Sequence, residues 1–234
     1  MQPNSYKTIG LCFIVLHLTA CSSPGYVPVE ELHPQYSMNK SRHFYIVRPG
    51  DTLYAIAFLF DKNVEQLAHL NHLSYPYALR VGQNINLATG GILKLGTPAK
   101  HFQQVIRQSV PLASRGSWLW PTQGQILKTN LTPVQAKGIN IIGHQGQAIN
   151  ASKAGVVAYA GAGLPGYGQL ILIKHSHDYL SAYAFNASIM VKEGHSVAAG
   201  QQIASMGQLI PGTYGLHFEV RYRGEAVRPE SYLR

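Results

Sequence analysis

The sequence predicts a mixed fold: a small β-α-α-β module at residues 43–87, then a mostly antiparallel β domain at residues 117–234. In the first segment, apolar residues recur at helical spacing between two strand-like runs. In the second, short apolar runs alternate with glycine turns. The composition agrees, because 23 Gly, 13 Pro and 14 Tyr favour turn-rich β structure over a helical bundle.

Charge and cysteine content exclude several classes of protein. The chain carries 19 Lys and Arg against 10 Asp and Glu, a net charge of +9. Such an excess suits an anionic partner, but no nucleic-acid-binding motif accompanies it, and we expect no nucleic-acid partner. Two cysteines in 234 residues are too few for a disulfide framework or a four-cysteine zinc site.

The N-terminus has the pattern of an export signal. An apolar stretch from Ile9 to Leu18 follows Lys7 and is too short to span a membrane. It ends in Leu18-Thr19-Ala20-Cys21, which resembles the lipobox of bacterial lipoproteins. The resemblance implies a signal peptide at residues 1–20 and acylation of Cys21. Since Ser22 follows, it also implies an anchor on the periplasmic face of the outer membrane; the alternative is an ordinary secretory signal that contains a Cys.

The next two segments are a tether and the predicted module. Residues 21–42 are rich in Pro and Ser and are predicted to form the tether. Residues 43–47 then read as a strand, and Asp51 or Thr52 is placed to cap a helix with Leu53, Ile56 and Phe60 on its apolar face. Asn63 begins a second helix, and residues 81–87 form a turn and a closing strand.

This module resembles the LysM family, which binds N-acetylglucosamine in peptidoglycan and chitin. The matching residues are Tyr45-Ile46-Val47, Gly50-Asp51-Thr52-Leu53, Ile56-Ala57, Leu67, Asn71 and Val81-Gly82-Gln83. The resemblance implies a sugar groove between two loops. Its expected contact residues are Gly50, Asp51, Thr52 and Leu53 in the first loop, and Tyr77, Ala78 and Leu79 in the second. Loop amides and an aromatic face suit a neutral, hydroxyl-rich sugar.

Residues 88–116 read as a linker. The segment contains Gly90-Gly91, Pro98 and Pro111, has no acidic residue, and carries several Lys and Arg. It shows neither helical nor strand periodicity. We therefore expect a basic connector with affinity for an anionic wall.

Residues 117–234 contain four strand-like runs, at 155–160, 169–174, 179–183 and 216–221. Together with Trp120-Pro121, Lys137-Gly138-Ile139, Gly166-Tyr167-Gly168 and Leu216-His217-Phe218-Glu219, they resemble the LytM, or lysostaphin-like, zinc endopeptidase domain. Active members of that family hold zinc with a His, an Asp four residues later and the second His of an H-x-H. Two further His serve in catalysis.

Most of these positions have changed in this chain. By the resemblance, the ligand positions fall on Ala136, Asn140 and His217, and the catalytic positions on Phe185 and Gly215. Because a catalytic zinc needs about three protein ligands, we expect no metal, no cofactor and no catalytic residue. The alternatives are an active endopeptidase, or a rebuilt metal site that uses His175 and His177, which have H-x-H spacing.

The predicted function is therefore binding in place of catalysis. The chain is similar to degenerate LytM lipoproteins that activate periplasmic N-acetylmuramoyl-L-alanine amidases during septal wall splitting. Residues 136, 140, 185, 215 and 217 would then line a partner groove with Phe185 as its apolar anchor. The pattern in those activators has Asp at position 140 and His at position 185, so this chain departs from it twice. The alternative is a structural tether between outer membrane and peptidoglycan.

Overall fold

The computed structural model describes residues 43–88, 118–127, 132–176 and 178–234. The predicted signal peptide (1–20), Cys21, the tether (21–42) and nearly all of the linker (88–116) lie outside the described residues, as does His177. Within the described ranges, no helix is both long and apolar enough to cross a membrane.

The first domain has the predicted β-α-α-β order. Strands β1 (Phe44–Ile46) and β2 (Asn84–Asn86) pair antiparallel, and helices α1 (Leu53–Leu59) and α2 (Val64–Leu70) lie between them in the chain. Thr52 caps α1, accepting a hydrogen bond from the Ala55 amide at 3.1 Å. Asn63 caps α2 in the same way through the Gln66 amide at 2.8 Å. Both predicted helix starts are thus confirmed.

Buried apolar side chains and one asparagine hold this module together. Leu53, Ile56, Leu67 and Ile85 are almost completely buried. The Asn71 side chain donates to the Leu67 and Asn86 carbonyls and accepts from the Asn86 amide at 2.6 Å. It therefore ties the end of α2 to β2, which explains why a polar residue stands at this point.

The second domain is an antiparallel sheet of eleven strands in the described residues. Its central order is β3-β4-β12-β8-β7-β6-β9, with β5, β10, β11 and β13 paired at the sides. Within its described residues, the second domain has only two helical segments, the 3-10 turns Gln135–Lys137 and Pro229–Ser231. The strands are β3 (Gln125–Leu127), β4 (Ile139–Ile142), β5 (Ala148–Asn150), β6 (Gly155–Gly161), β7 (Gln169–Lys174), β8 (Tyr179–Ile189), β9 (Ser196–Val197), β10 (Gln202–Met206), β11 (Gln208–Ile210), β12 (Thr213–Tyr222) and β13 (Glu225–Val227).

The first domain packs against one face of this sheet. A single apolar cluster contains Leu53 and Phe58 of α1 together with Tyr159 and Tyr167 of the second domain. The rings of Phe58 and Tyr167 meet edge to face, with centroids 5.1 Å apart. The opposite face of the sheet has its own core, which includes Trp118, Ile171, Tyr183 and Phe218. The module and the sheet therefore share a core and do not merely lie side by side.

Candidate functional site

His217 lies at the centre of the predicted groove, and strand register sets its neighbours. In β12 it stands opposite Asn140 of β4 on one side and Ala184 of β8 on the other. The ring is fully buried. Its Nδ1 is 2.9 Å from Asn140 Oδ1, and its Nε2 is 3.0 Å from Glu219 Oε1. Both ring nitrogens are thus engaged by protein oxygens.

A buried network continues from His217 along the same face of β12, because alternate residues of a strand point the same way. Glu219 is fully buried and receives hydrogen bonds from Tyr167 Oη at 3.1 Å and Arg221 Nε at 2.9 Å. Burial alone would raise the pKa of the Glu219 carboxyl, but the Arg221 guanidinium and the His217 ring outweigh it and lower that pKa. Glu219 therefore stays ionised inside the protein.

Arg221 carries this network into the first domain. Its Nη1 donates to the Phe58 carbonyl at 3.0 Å and to Asp61 Oδ1 at 2.7 Å. The guanidinium also lies over the Phe58 ring, 3.9 Å from its centroid. Asp61 forms a second ion pair with Lys137, whose Nζ lies 2.7 Å from Asp61 Oδ1. Lys137 is the residue after Ala136 in the chain. The buried network around His217 is thus linked to α1 through charged groups.

The residues present do not fit a catalytic zinc. Ala136 has no ligand atom, Asn140 offers a neutral amide, and the His217 nitrogens already have partners. The Asn140 Nδ2 is buried and has no hydrogen-bond partner among the described residues. In the same ranges, no three His, Cys, Asp or Glu side chains are grouped to hold a metal ion. The domain is a degenerate peptidase.

The remaining predicted groove residues divide between the surface and the interior. Ala136 is exposed, Phe185 is half-buried and Gly215 is buried. Phe185 lies edge-on to His217, with centroids 6.5 Å apart, and has a backbone φ of 63°. Of the five predicted groove residues, only Ala136 and Phe185 reach solvent.

The alternative metal pair is not supported. His175 is buried: its Nδ1 donates to the Ala154 carbonyl at 2.9 Å, and its Nε2 lies 2.8 Å from Ser181 Oγ. Burial lowers the pKa of His175 to about 4. Its ring also packs against Trp118, with centroids 4.7 Å apart. His175 is therefore a core residue with both nitrogens engaged.

The two loops predicted to bind sugar come together in the first domain. They line a cavity of about 330 Å³ that includes Asp51 to Tyr54 and Tyr75 to Leu79. The rings of Tyr75, Tyr54 and Tyr77 form an aromatic cluster, with Tyr77 5.8 Å from Tyr75 and 6.0 Å from Tyr54. The Asp51 carboxylate accepts hydrogen bonds from Tyr45 Oη and the Arg48 amide, both at 2.7 Å. Asp51 thus holds the loop in shape, and the three tyrosines are among the residues that line the cavity.

Two groups of residues near the predicted sites could not be predicted from the motifs. The sequence patterns do not predict a role for Tyr54, nor for Asp61, Glu219 and Arg221. For the strand residues a signal exists, because His217, Glu219 and Arg221 alternate in β12 and so share one face. For Asp61 there is none, since its partner Arg221 is 160 residues away.

Comparison with known proteins agrees with this architecture. Residues 45–88 match the LysM domain family, and residues 134–229 match Peptidase family M23. The chain is 41% identical to the lipoprotein YgeR of Escherichia coli K12, over 81% of this chain and 80% of that protein. It is 35% identical to the murein hydrolase activator NlpD of the same organism, over 81% of this chain and 67% of that protein.

A third relative is longer than this chain. The outer membrane antigenic lipoprotein B of Histophilus somni is 39% identical, over 78% of this chain and 64% of that protein, so the chain spans less than two thirds of its length. Fold, degenerate site and relatives together define a two-domain protein with a LysM module and a non-catalytic M23 domain. The chain belongs to the NlpD-like family of murein hydrolase activator lipoproteins.

Proposed function

We propose that this chain is a non-enzymatic activator of a periplasmic N-acetylmuramoyl-L-alanine amidase in septal wall splitting. The observation that carries the proposal is a peptidase sheet kept intact around a site that has lost its metal ligands: Ala136 and Asn140 stand where ligands are needed, and His217 is buried with both nitrogens engaged. The murein hydrolase activators among its relatives support it.

Binding of the partner would use the two predicted groove residues that reach solvent, Ala136 and Phe185. Phe185 offers an apolar anchor and the small side chain of Ala136 leaves room, which suits the apolar face of a regulatory helix. Activation requires that the groove bind the active state of the amidase better than its inhibited state. Peptidoglycan binding by the module would concentrate the activator at its site of action.

The test is release of dye-labelled peptidoglycan by the amidase, with and without this protein. We expect stimulation by the wild type and none from the protein alone. Phe185→Gly should abolish stimulation, because loss of an interface anchor costs about 2 kcal/mol or more, roughly a thirtyfold loss of affinity. Glycine suits the φ of 63° at this position, so the variant should melt close to the wild type.

Phe44→Ala is the matched control, since Phe44 is 59% exposed on the first domain, and it should activate normally. A well-folded Phe185→Gly variant that activates fully would show that the partner binds elsewhere. If the wild type stimulates no amidase yet still holds both wall and membrane, the tether function is favoured. That function needs only the lipid anchor and the LysM module.

Outer-membrane anchoring is part of the proposal and has its own prediction. Cys21→Ala should release the protein from the membrane fraction, because acyl chains on Cys21 supply the only proposed membrane attachment. Cys12 is the only other cysteine of the sequence and lies within the predicted signal peptide. Cys12→Ala should therefore leave the protein membrane-bound. Retention of the Cys21→Ala variant with the outer membrane would contradict lipid anchoring at this residue.

A further inference from the structure

The cavity beside the predicted sugar loops is not enclosed by the first domain alone. Its opposite wall comes from the second domain: Val156, Val157 and Ala158 of β6, Lys174 of β7, and Glu193 with Gly194 in the turn before β9. A volume of about 330 Å³ lies within the range of small-ligand sites. The sugar loops therefore face a strand of the peptidase-like sheet.

Direct bonds hold the two walls at a fixed separation. Thr52 Oγ in the first sugar loop donates to the Ala158 carbonyl at 3.2 Å. Lys174 Nζ donates to Tyr54 Oη at 3.0 Å and pairs with Glu65 at 2.8 Å. Thr52 and Tyr54 of the first domain and Ala158 and Lys174 of the second all line the cavity, so these bonds cross between the domains at the cavity itself. The cavity thus exists only while the domains are docked.

The two walls offer complementary chemistry. The first domain supplies the rings of Tyr54, Tyr75 and Tyr77, which suit the apolar faces of a pyranose. The second supplies the apolar surface of Val156 and Ala158 and the carboxylate of Glu193. Desolvation raises the pKa of the Glu193 carboxyl, whereas the hydrogen bond that it accepts from the Ala160 amide at 3.3 Å lowers it. The oxygens of a carboxyl group accept hydrogen bonds from hydroxyl or N-acetyl N–H donors.

We infer that the glycan site is composite: β6 and the Glu193 turn of the second domain form one wall of the site that binds N-acetylated amino-sugar chains. This rests on the proposed binding of peptidoglycan by the module and adds that the degenerate peptidase domain itself contacts the sugar. A ligand held by both walls stabilises the docked arrangement, because it binds that arrangement better than separated domains. Binding to peptidoglycan is then coupled to the contact between the two domains around Arg221.

The test is calorimetric titration with the β-1,4-linked tetramer of N-acetylglucosamine, using the mature chain with Cys21 replaced by Ser. We compare wild type, Glu193→Ala and Val156→Trp. Glu193 is exposed, so its truncation should leave the fold intact and weaken binding about tenfold, the usual effect of losing a hydrogen bond to a charged group. Val156→Trp fills the cavity from the second domain and should weaken binding more.

The controls separate this inference from the proposed function. Glu225→Ala removes an exposed carboxylate from β13, away from the cavity, and should bind like the wild type. Tyr77→Ala changes only the wall from the first domain. It should lose binding whether the site is composite or belongs to the module alone. If Glu193→Ala and Val156→Trp both bind like the wild type while Tyr77→Ala does not, the composite site is overturned and the module's function stands. If the wild type binds no tetramer, both fail.

A second readout does not depend on substitutions. In the wild type, tetramer titration should shift the backbone amide NMR signals of Ala158 and Gly194 in the second domain as well as those of Thr52 and Tyr77. The amide of Ala226 in β13 serves as the unshifted reference. Shifts confined to the first domain would contradict a sugar contact from β6.

Discussion

Single residues explain how the second domain tolerates buried ionisable groups. His175 and His217 are both buried, but their surroundings differ. His217 lies against the Glu219 carboxylate, whereas His175 is enclosed by a carbonyl, a hydroxyl and the Trp118 ring. Burial therefore holds His175 neutral, with a pKa lowered to about 4. Its effect on stability follows from that shift.

His175 makes a specific prediction for pH dependence. Between pH 6.5 and about 4, His175 takes up a proton in the unfolded chain but not in the folded one, so stability falls as the pH is lowered through this window. The loss attributable to this residue is on the order of 3 kcal/mol. His175→Gln should therefore show a smaller decrease in unfolding free energy over this window, measured by urea denaturation at several pH values.

His195→Gln is the matched control, because His195 is exposed, and it should keep the wild-type pH slope. A His175→Gln slope that is equal to the wild-type slope would mean that His175 is not held neutral.

Secondary-structure elements show how far the sequence could be read. Both helices and the strands β6, β7, β8 and β12 begin within a few residues of their predicted positions, since each carries its own periodicity or cap. Strand β8 continues to Ile189, beyond the predicted end, because Asn186 and Ser188 pair with β10 despite their polarity. Strands β9 and β11, of two and three residues, are too short to show an alternation of apolar and polar residues, and they are defined only by pairing with neighbouring strands.

The N-caps of the two helices make a prediction at this scale. Thr52 and Asn63 each cap a helix, but only Thr52 also bonds the second domain, through Ala158. Thr52→Ala and Asn63→Ala should each cost about 1 kcal/mol of helix capping, which lowers the melting temperature by roughly 2–4 °C in a protein of this size. Only Thr52→Ala should also weaken binding of the sugar tetramer, which differential scanning and titration calorimetry can measure. Equal sugar affinity in both variants would show that the Thr52–Ala158 bond does not support the site.

At the scale of the whole molecule, the site depends on an interface that the sequence did not predict. The loop positions and the lost metal ligands could be read from motifs, because each motif is local. The partners Asp61 and Arg221 lie 160 residues apart, and nothing in their neighbouring residues indicates the pairing. Phe58 is one of several apolar residues in α1 and nothing in the sequence distinguishes it, yet it packs on Tyr167 and Arg221 of the other domain. Docking of two separately recognisable domains is a long-range property.

The shared core predicts how the molecule unfolds. Phe58 and Arg221 are both almost fully buried at the interface, so separating the domains would expose an apolar ring and a charged group together. We therefore expect a single calorimetric transition for the mature chain. Asp61→Asn removes the ion pairs to Arg221 and Lys137 at a position with φ of 53°, which asparagine tolerates.

Loss of those charge-assisted bonds should cost about 1.5–3 kcal/mol and either lower the melting temperature or separate a first transition for the LysM module. Asp178→Asn is the control: Asp178 also pairs with an arginine at positive φ, but its partner Arg223 is 65% exposed and lies within the same domain. Surface pairs contribute at most about 1 kcal/mol, so this variant should melt like the wild type. Two well-separated transitions in the wild type would mean that the module does not share a core with the sheet. Equal melting of both variants would remove Asp61 from the docking contact.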